Sequence, residues 1–188
     1  LNTQQSFAAE HGYLIGNTSA ACLAGANHLA QTTSHNILTM MYDSGLWMTY
    51  LGMGMQPFDA MVHAMTTIAT GGFSNYDASF GTFSGPAEYA ASFFMILAAL
   101  PFVRYVQLIN GQSQPLFKDS QIHVFLMVIA ALVVLTVAIL INVFPRDWEQ
   151  ALREALFNIV SITSGTGYAS VDYMEWGSFL IMVFFFIV

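Results

Sequence analysis

Charge is what this chain has least of. Asp, Glu, Lys and Arg make up only 8% of its 188 residues, while 56% are hydrophobic. A chain with that balance cannot cover itself with an ordinary water-facing surface, which argues against a conventional soluble domain. Cations are scarcer still: there are four Lys and Arg residues, and none precedes Arg104. No basic segment leads into an apolar core at the N-terminus, so the signal-peptide pattern is missing. Cys22 is the single cysteine, which excludes a disulfide framework or a cysteine metal site within the chain. Nor does any segment carry a Walker pattern or a dinucleotide fingerprint. His63 and His123 stand alone, with no Asp or His at ligand spacing on the apolar helices, so no enzymatic centre is expected.

What is present is apolar length. Ser120 to Pro145 contains no formally charged residue, and its core, His123 to Phe144, runs for 22 residues. That suffices to cross a hydrocarbon layer about 30 Å thick. A second span is expected near residues 86–109, with Glu88 at its start, Pro101 within it and Arg104 near its end. Terminal charges reach the headgroups by snorkelling, and Pro101 predicts a kink or an irregular turn. Leu46 to Met55 reads as the end of a further membrane helix. The apolar stretch from Trp176 to Val188 is 13 residues long, short of the about 20 needed to cross, and is expected to be a truncated helix.

Two glycine-centred segments recur 95 residues apart: Thr66-Thr67-Ile68-Ala69-Thr70-Gly71-Gly72-Phe73-Ser74 and Ser161-Ile162-Thr163-Ser164-Gly165-Thr166-Gly167-Tyr168-Ala169. Overlaid without a gap, Asp59-Ala60 falls on Glu154-Ala155, Thr66 on Ser161, Gly72 on Gly167, Phe73 on Tyr168 and Asp77 on Asp172. An acidic helix start, an apolar stretch, a glycine-aromatic pair and a following aspartate thus repeat as one unit. Pro57-Phe58-Asp59 and Asp147-Trp148-Glu149 are helix-start signals, so short helices are predicted over 57–69 and 148–162. The first is only about half a membrane deep at ~1.5 Å per residue.

The chemistry lies in the glycine segments that close those helices. Glycines at 72 and 167 allow positive φ and let backbone carbonyls approach an ion closely. Thr66, Thr67, Thr70, Ser161, Thr163, Ser164 and Thr166 add hydroxyls that satisfy nearby backbone or face the ion. Carbonyl oxygens are neutral, hard ligands suited to replacing water around a monovalent cation. For one copy alone a glycine helix cap explains the pattern as well. Repetition between spanning segments favours a duplicated pore loop, with candidate potassium-filter residues Thr70, Gly71, Gly72, Phe73, Ser164, Gly165, Thr166, Gly167 and Tyr168.

Pro57-Phe58-Asp59-Ala60, Thr67 to Ser74, Tyr76-Asp77-Ala78-Ser79, Leu100-Pro101-Phe102, Asp119-Ser120-Gln121 and Ala155 to Asn158 leading into Gly165 to Ala169 together resemble the membrane subunit of Trk-type bacterial potassium uptake systems, within the Trk, Ktr and HKT superfamily. The resemblance covers about two thirds of the chain, from 57 to 176. It implies an all-α membrane protein of repeated helix, pore loop and helix units in a potassium-channel-like fold, incomplete here. The division it suggests is an atypical leader over 1–44, one unit over 45–110, a loop over 111–122 and the next unit over 123–188. Residues 1–44 do not match the basic loop and helix the family places there. By the same resemblance the function is potassium uptake across the bacterial inner membrane by a multi-pass protein. Expected partners are the lipid bilayer, potassium as the transported ion, a cytosolic nucleotide-binding regulatory subunit and a second copy of the full-length protein. No nucleic acid and no cofactor are expected. The competing reading is a non-transporting membrane assembly or scaffold protein.

His11, His28 and His35 are separated by 17 and 7 residues, which fits no standard metal spacing. Arg104 and Lys118 lie on one side of the predicted membrane, and Arg146 and Arg153 on the other, so charge leaves orientation tied. The resemblance places the filters outside. Asp59, Asp77, Glu88, Asp147, Glu149, Glu154, Asp172 and Glu175 then share the filter side, where they either concentrate cations or simply terminate solvated helices.

Overall fold

A computed structural model describes residues 39–109, 114–144 and 146–187. The histidine metal reading at 11, 28 and 35 and most of the 1–44 leader lie outside the described residues. Regular structure among the described residues is helical throughout. In chain order the α-helices are α1 Thr39–Gly52, α2 Pro57–Ile68, α3 Pro86–Ala99, α4 Phe102–Ile109, α5 Gln114–Phe117, α6 Ser120–Val143, α7 Trp148–Thr163 and α8 Ser178–Ile187. Two 3₁₀ turns, Ser79–Phe83 and Tyr173–Trp176, each come after a glycine loop.

The order of helix, short helix, glycine loop and helix occurs twice. In the first unit α1 packs on α2; in the second α6 packs on α7. The short helices begin where the sequence predicts, with Pro57 in the first turn of α2 and Asp147 just before the first turn of α7. At ~1.5 Å per residue α2 is about 18 Å long and α7 about 24 Å, too short to cross a bilayer. The units are joined by α3 lying along α7, so the second helix of one repeat is the wall of the next repeat's short helix. Glu88 and Arg153 make that joint: Arg153 Nη1 pairs with Glu88 Oε2, which also accepts the Gly85 N–H at 2.8 Å at the start of α3.

Among the described residues α6 is the helix long and apolar enough to span a membrane. Ile122, Ile129, Val133, Thr136 and Leu140 form its buried stripe, while Val124, Met127, Val134 and Ile141 are exposed, as lipid-facing positions are. It starts three residues before the predicted 123 because Asp119 caps it.

The second predicted span, 86–109, is corrected. It is two helices, α3 and α4, broken at Leu100 with ψ 148. Pro101 has no N–H to give the carbonyl of Leu97 four residues back. The Tyr105 hydroxyl takes that place, donating to Leu97 O at 2.6 Å, and the Leu100 N–H donates to the same oxygen at 3.2 Å. The freed backbone group is therefore satisfied, and the break is a built turn.

Beyond α4 the chain returns to α6 through an ion pair. Asp119 Oδ1 accepts the Gln121 N–H at 2.9 Å, and Oδ2 accepts from Arg104 Nε at 2.6 Å. The backbone N–H first, and the guanidinium next, hold this carboxyl below the usual aspartate range. A depressed carboxylate contributes stability above its unfolded value and loses it as pH falls. The tie is thus complete above about pH 4 and loosens below it. Amide exchange at residues 120–123, corrected for intrinsic rate, is expected to accelerate on acidification. Asp119→Asn should remove that pH dependence, and unchanged protection in the unsubstituted chain would count against the tie.

Candidate ion-coordinating loops

The two glycine loops leave their helices alike and turn left-handed at the same two positions of the 95-residue offset. Their helices end alike, with Ala69 at φ −77, ψ 0 and Ser164 at φ −81, ψ −10. The next residues, Thr70 and Gly165, turn left-handed at φ +48 and +74, and two residues later Gly72 and Gly167 do so again at +61 and +83. Matching hydrogen bonds fix the path. Gly72 N–H donates to Thr66 O at 3.4 Å and Gly167 N–H to Ser161 O at 3.1 Å. Thr66 Oγ1 donates to Phe73 O at 3.0 Å, and Ser161 Oγ donates to Tyr168 O at 2.7 Å. These two hydroxyls therefore serve the scaffold: each ties the carbonyl at the end of its loop back to the short helix.

A polar residue at one register does the same for the chain beyond. His63 Nδ1 bonds Asp59 O at 2.8 Å and Nε2 bonds Ser74 Oγ at 3.1 Å. At the equivalent position Asn158 Nδ2 donates to Glu154 O at 2.8 Å and to Ser170 Oγ at 3.0 Å. His63 is a buried connector, and no cluster of metal-ligating side chains occurs among the described residues.

The loops lie edge to edge. A Cβ placed on Gly72 would sit 2.1 Å from Thr166 O, whereas one on Gly167 meets nothing within 4 Å. Just beyond, Phe80 N–H donates to Ala169 O at 3.0 Å, Ala169 N–H donates to Ser79 Oγ at 3.2 Å, and a Cβ on Gly81 would stand 2.8 Å from Ser170 O. The candidate filter residues are thus brought together as two adjacent backbones. Gly71, Gly165 and Gly167 are exposed, Gly72 and Thr70 half-buried, and Thr166 buried with its hydroxyl 2.8 Å from that of Ser164. The arrangement sets two glycine-bearing backbone segments side by side, with the Thr66 and Ser161 hydroxyls behind them tied to the carbonyls of Phe73 and Tyr168.

Phe73 and Tyr168, equivalent in the overlay, part company. The Phe73 ring is 72% exposed and the Tyr168 ring 1%. Tyr168 leaves its own loop and lies over α2, stacked on His63 at 5.9 Å and packed against Phe80 at 5.3 Å. Its hydroxyl meets Thr66 Oγ1 and lies 3.3 Å from His63 O and 3.4 Å from Phe73 O. Sequence reasoning missed Phe80, which is fully buried among Tyr50, His63, Phe83, Phe157 and Tyr168. Lying between Tyr76 and Phe83 in a glycine- and serine-containing stretch, it carries no pattern that distinguishes it from those neighbours.

The acidic rim also needs correction. Asp77, Asp147, Glu149, Asp172 and Glu175 are exposed, but Asp59, Glu88 and Glu154 are buried. Asp59 accepts from the Tyr76 hydroxyl at 2.7 Å and Asn75 Nδ2 at 3.0 Å, Glu88 pairs with Arg153, and Glu154 pairs with Arg146. Three of the eight are internal struts because each has a donor within reach in the fold, and a buried carboxylate without one is costly.

Known proteins resemble this chain in sequence and in fold. The chain matches the TrkH family, described as cation transport protein, over residues 29–188, which begins inside the 1–44 leader. It is 42% identical over 140 residues to the Trk system potassium uptake protein TrkI of Halomonas elongata, covering 73% of this chain and 28% of that protein. With the Trk system potassium uptake protein TrkH of Escherichia coli K12 it shares 30% identity over 149 residues, 77% of this chain and 30% of the relative. It therefore spans under a third of the length of these relatives. The potassium transporter TrkH from Vibrio parahaemolyticus, a crystal structure, superposes with a TM-score of 0.77 at 24% identity over 92% of this chain and 36% of its own, which establishes the shared fold. A helical chain with two like-turning glycine loops at the ends of short helices, matched by that family over most of its length, belongs to the TrkH cation transport protein family.

Proposed function

We propose that this chain supplies two adjacent pore loops of a potassium uptake transporter, and that potassium passes along the carbonyls of Thr70 to Phe73 and Ser164 to Tyr168. The observation that carries the reading is the repeated left-handed path at Thr70, Gly72, Gly165 and Gly167, set side by side with Gly72 against Thr166. A helix cap needs one such residue and no neighbouring loop. The spanning helix α6, the exposed apolar faces and the helices too short to cross support placement as a multi-pass protein in the bacterial inner membrane. Inward movement of a cation is driven by about 2.3 kcal/mol per charge per 100 mV. The relatives' names support a Trk system as the setting, in which a cytosolic nucleotide-binding subunit regulates the transporter and two full-length copies assemble; no enzymatic step is part of this reading.

The test uses a complete transporter chain in which this segment replaces the corresponding stretch of Halomonas elongata TrkI. Reconstituted into proteoliposomes, it should take up potassium in response to an inside-negative potential. A scaffold protein would insert to the same level and carry no flux, and that result would overturn the proposal.

A further inference from the structure

We infer that Tyr168 is a positioning residue for the other loop: its hydroxyl, acting with that of Thr66, sets the direction of the Phe73 carbonyl and so tunes ion discrimination across the boundary between the two repeats. The inference rests on the pore-loop function proposed for these segments and extends it to one named contact.

The geometry is one-directional. Tyr168 Oη meets Thr66 Oγ1 and stands 3.4 Å from Phe73 O, while Thr66 Oγ1 is 3.0 Å from Phe73 O and 2.9 Å from Val62 O. A threonine hydroxyl has one proton, so it serves either Val62 or Phe73 at a given moment. With the tyrosine bonded to it, one of the two protons lies between the hydroxyls and the other is left for an acceptor, so the Phe73 carbonyl has a donor within reach whichever hydroxyl donates to the other. The tyrosine ring is held for this task by His63 and Phe80 and is buried, which leaves its hydroxyl no competing water. In the second loop the carbonyl of Tyr168 itself is tied by Ser161 Oγ at 2.7 Å, a bond within its own repeat. Phe73, at the position equivalent to Tyr168, has no hydroxyl to offer in turn. The two loops therefore share a backbone path and differ in how their last carbonyl is steered.

Tyr168→Phe keeps the ring and removes the proton. Thr66→Val keeps the shape and removes the other, and Thr66→Ser restores a hydroxyl in the form already present at Ser161. In the complete chain, potassium and sodium fluxes are measured at matched incorporation. Tyr168→Phe and Thr66→Val are each expected to lower the potassium-to-sodium ratio about 3- to 10-fold, the range of a single lost hydrogen bond. The double variant should be no worse than the poorer single one, because both act on one carbonyl. Thr66→Ser should keep the unsubstituted ratio. A merely structural role would lower both fluxes together and leave the ratio in place. An unchanged ratio in Tyr168→Phe, or a double variant that falls by the product of the two, overturns the inference. If Tyr168→Phe does not assemble, the contrast between Thr66→Val and Thr66→Ser decides, an equal ratio in the two being the overturning result. An unsubstituted chain that inserts but carries no potassium would instead remove the pore-loop function itself.

Discussion

Gly72→Ala is expected to abolish potassium flux, whereas Gly167→Ala in the equivalent position leaves a measurable current of altered selectivity. Both residues are left-handed, at φ +61 and +83, so a side chain costs each about 1–2 kcal/mol. The difference is what surrounds them. The new methyl at 72 would lie 2.1 Å from the Thr166 carbonyl oxygen and 3.2 Å from the Gly167 carbonyl carbon. Those are main-chain atoms of the neighbouring loop, with no rotamer to move away, so the second backbone must shift. At 167 nothing lies within 4 Å, and the strain stays local. Flux at matched incorporation in the complete chain should separate the two by at least ~10-fold, the equivalent of one further 1.4 kcal/mol. Equal losses in both variants would mean that the loops do not touch as described.

Phe80→Ala should lower stability more than any single change among the polar residues of the loops. Phe80 is fully buried, with ring centroids of Phe157 at 4.8 Å, Tyr168 at 5.3 Å and Tyr50 at 6.0 Å around it. Truncating a buried phenylalanine costs about 3–5 kcal/mol. For a chain of this size each kcal/mol moves the melting point by about 2–4 °C, which predicts a fall of roughly 6–20 °C in a detergent melt. Because the cavity lies between α2 and α7, the loss loosens one repeat from the other. Phe80→Leu, which refills part of the volume, should recover much of the difference. A Phe80→Ala protein that melts with the unsubstituted one would show that the units are joined elsewhere, through Glu88 and Arg153.

The placement of α2, α6 and α7 was legible in the sequence because each is announced by local chemistry: Pro57 and Asp59, an uncharged run, and Asp147 with Glu149. The equivalence of the loops could also be read, since Gly72 and Gly167 share an offset with Thr66 and Ser161, and the bonds that Thr66 and Ser161 make to the loops keep to that offset. Other features depend on partners distant in sequence. Nothing local distinguishes Glu88, buried against Arg153, from a carboxylate reaching the headgroups. Phe73 and Tyr168 hold the same place in the repeat and differ locally by one hydroxyl, yet the Tyr168 ring lies over α2 of the other unit while the Phe73 ring is exposed. Pro101 predicted a disturbance, but whether it bends a helix or divides it was decided by Tyr105, whose hydroxyl satisfies Leu97 O and stabilises the divided form.

The lodging of Tyr168 over α2 carries a consequence for biosynthesis. The ribosome makes the His63 surface about a hundred residues before the ring that fills it. Until that ring emerges, the first loop has only the Thr66 hydroxyl behind its last carbonyl and no cover from Tyr168 for its short helix. Maturation of this pair is therefore ordered backwards along the chain: the first loop reaches its final form only when the second has been inserted, and a nascent chain stopped between the two carries an unfinished loop.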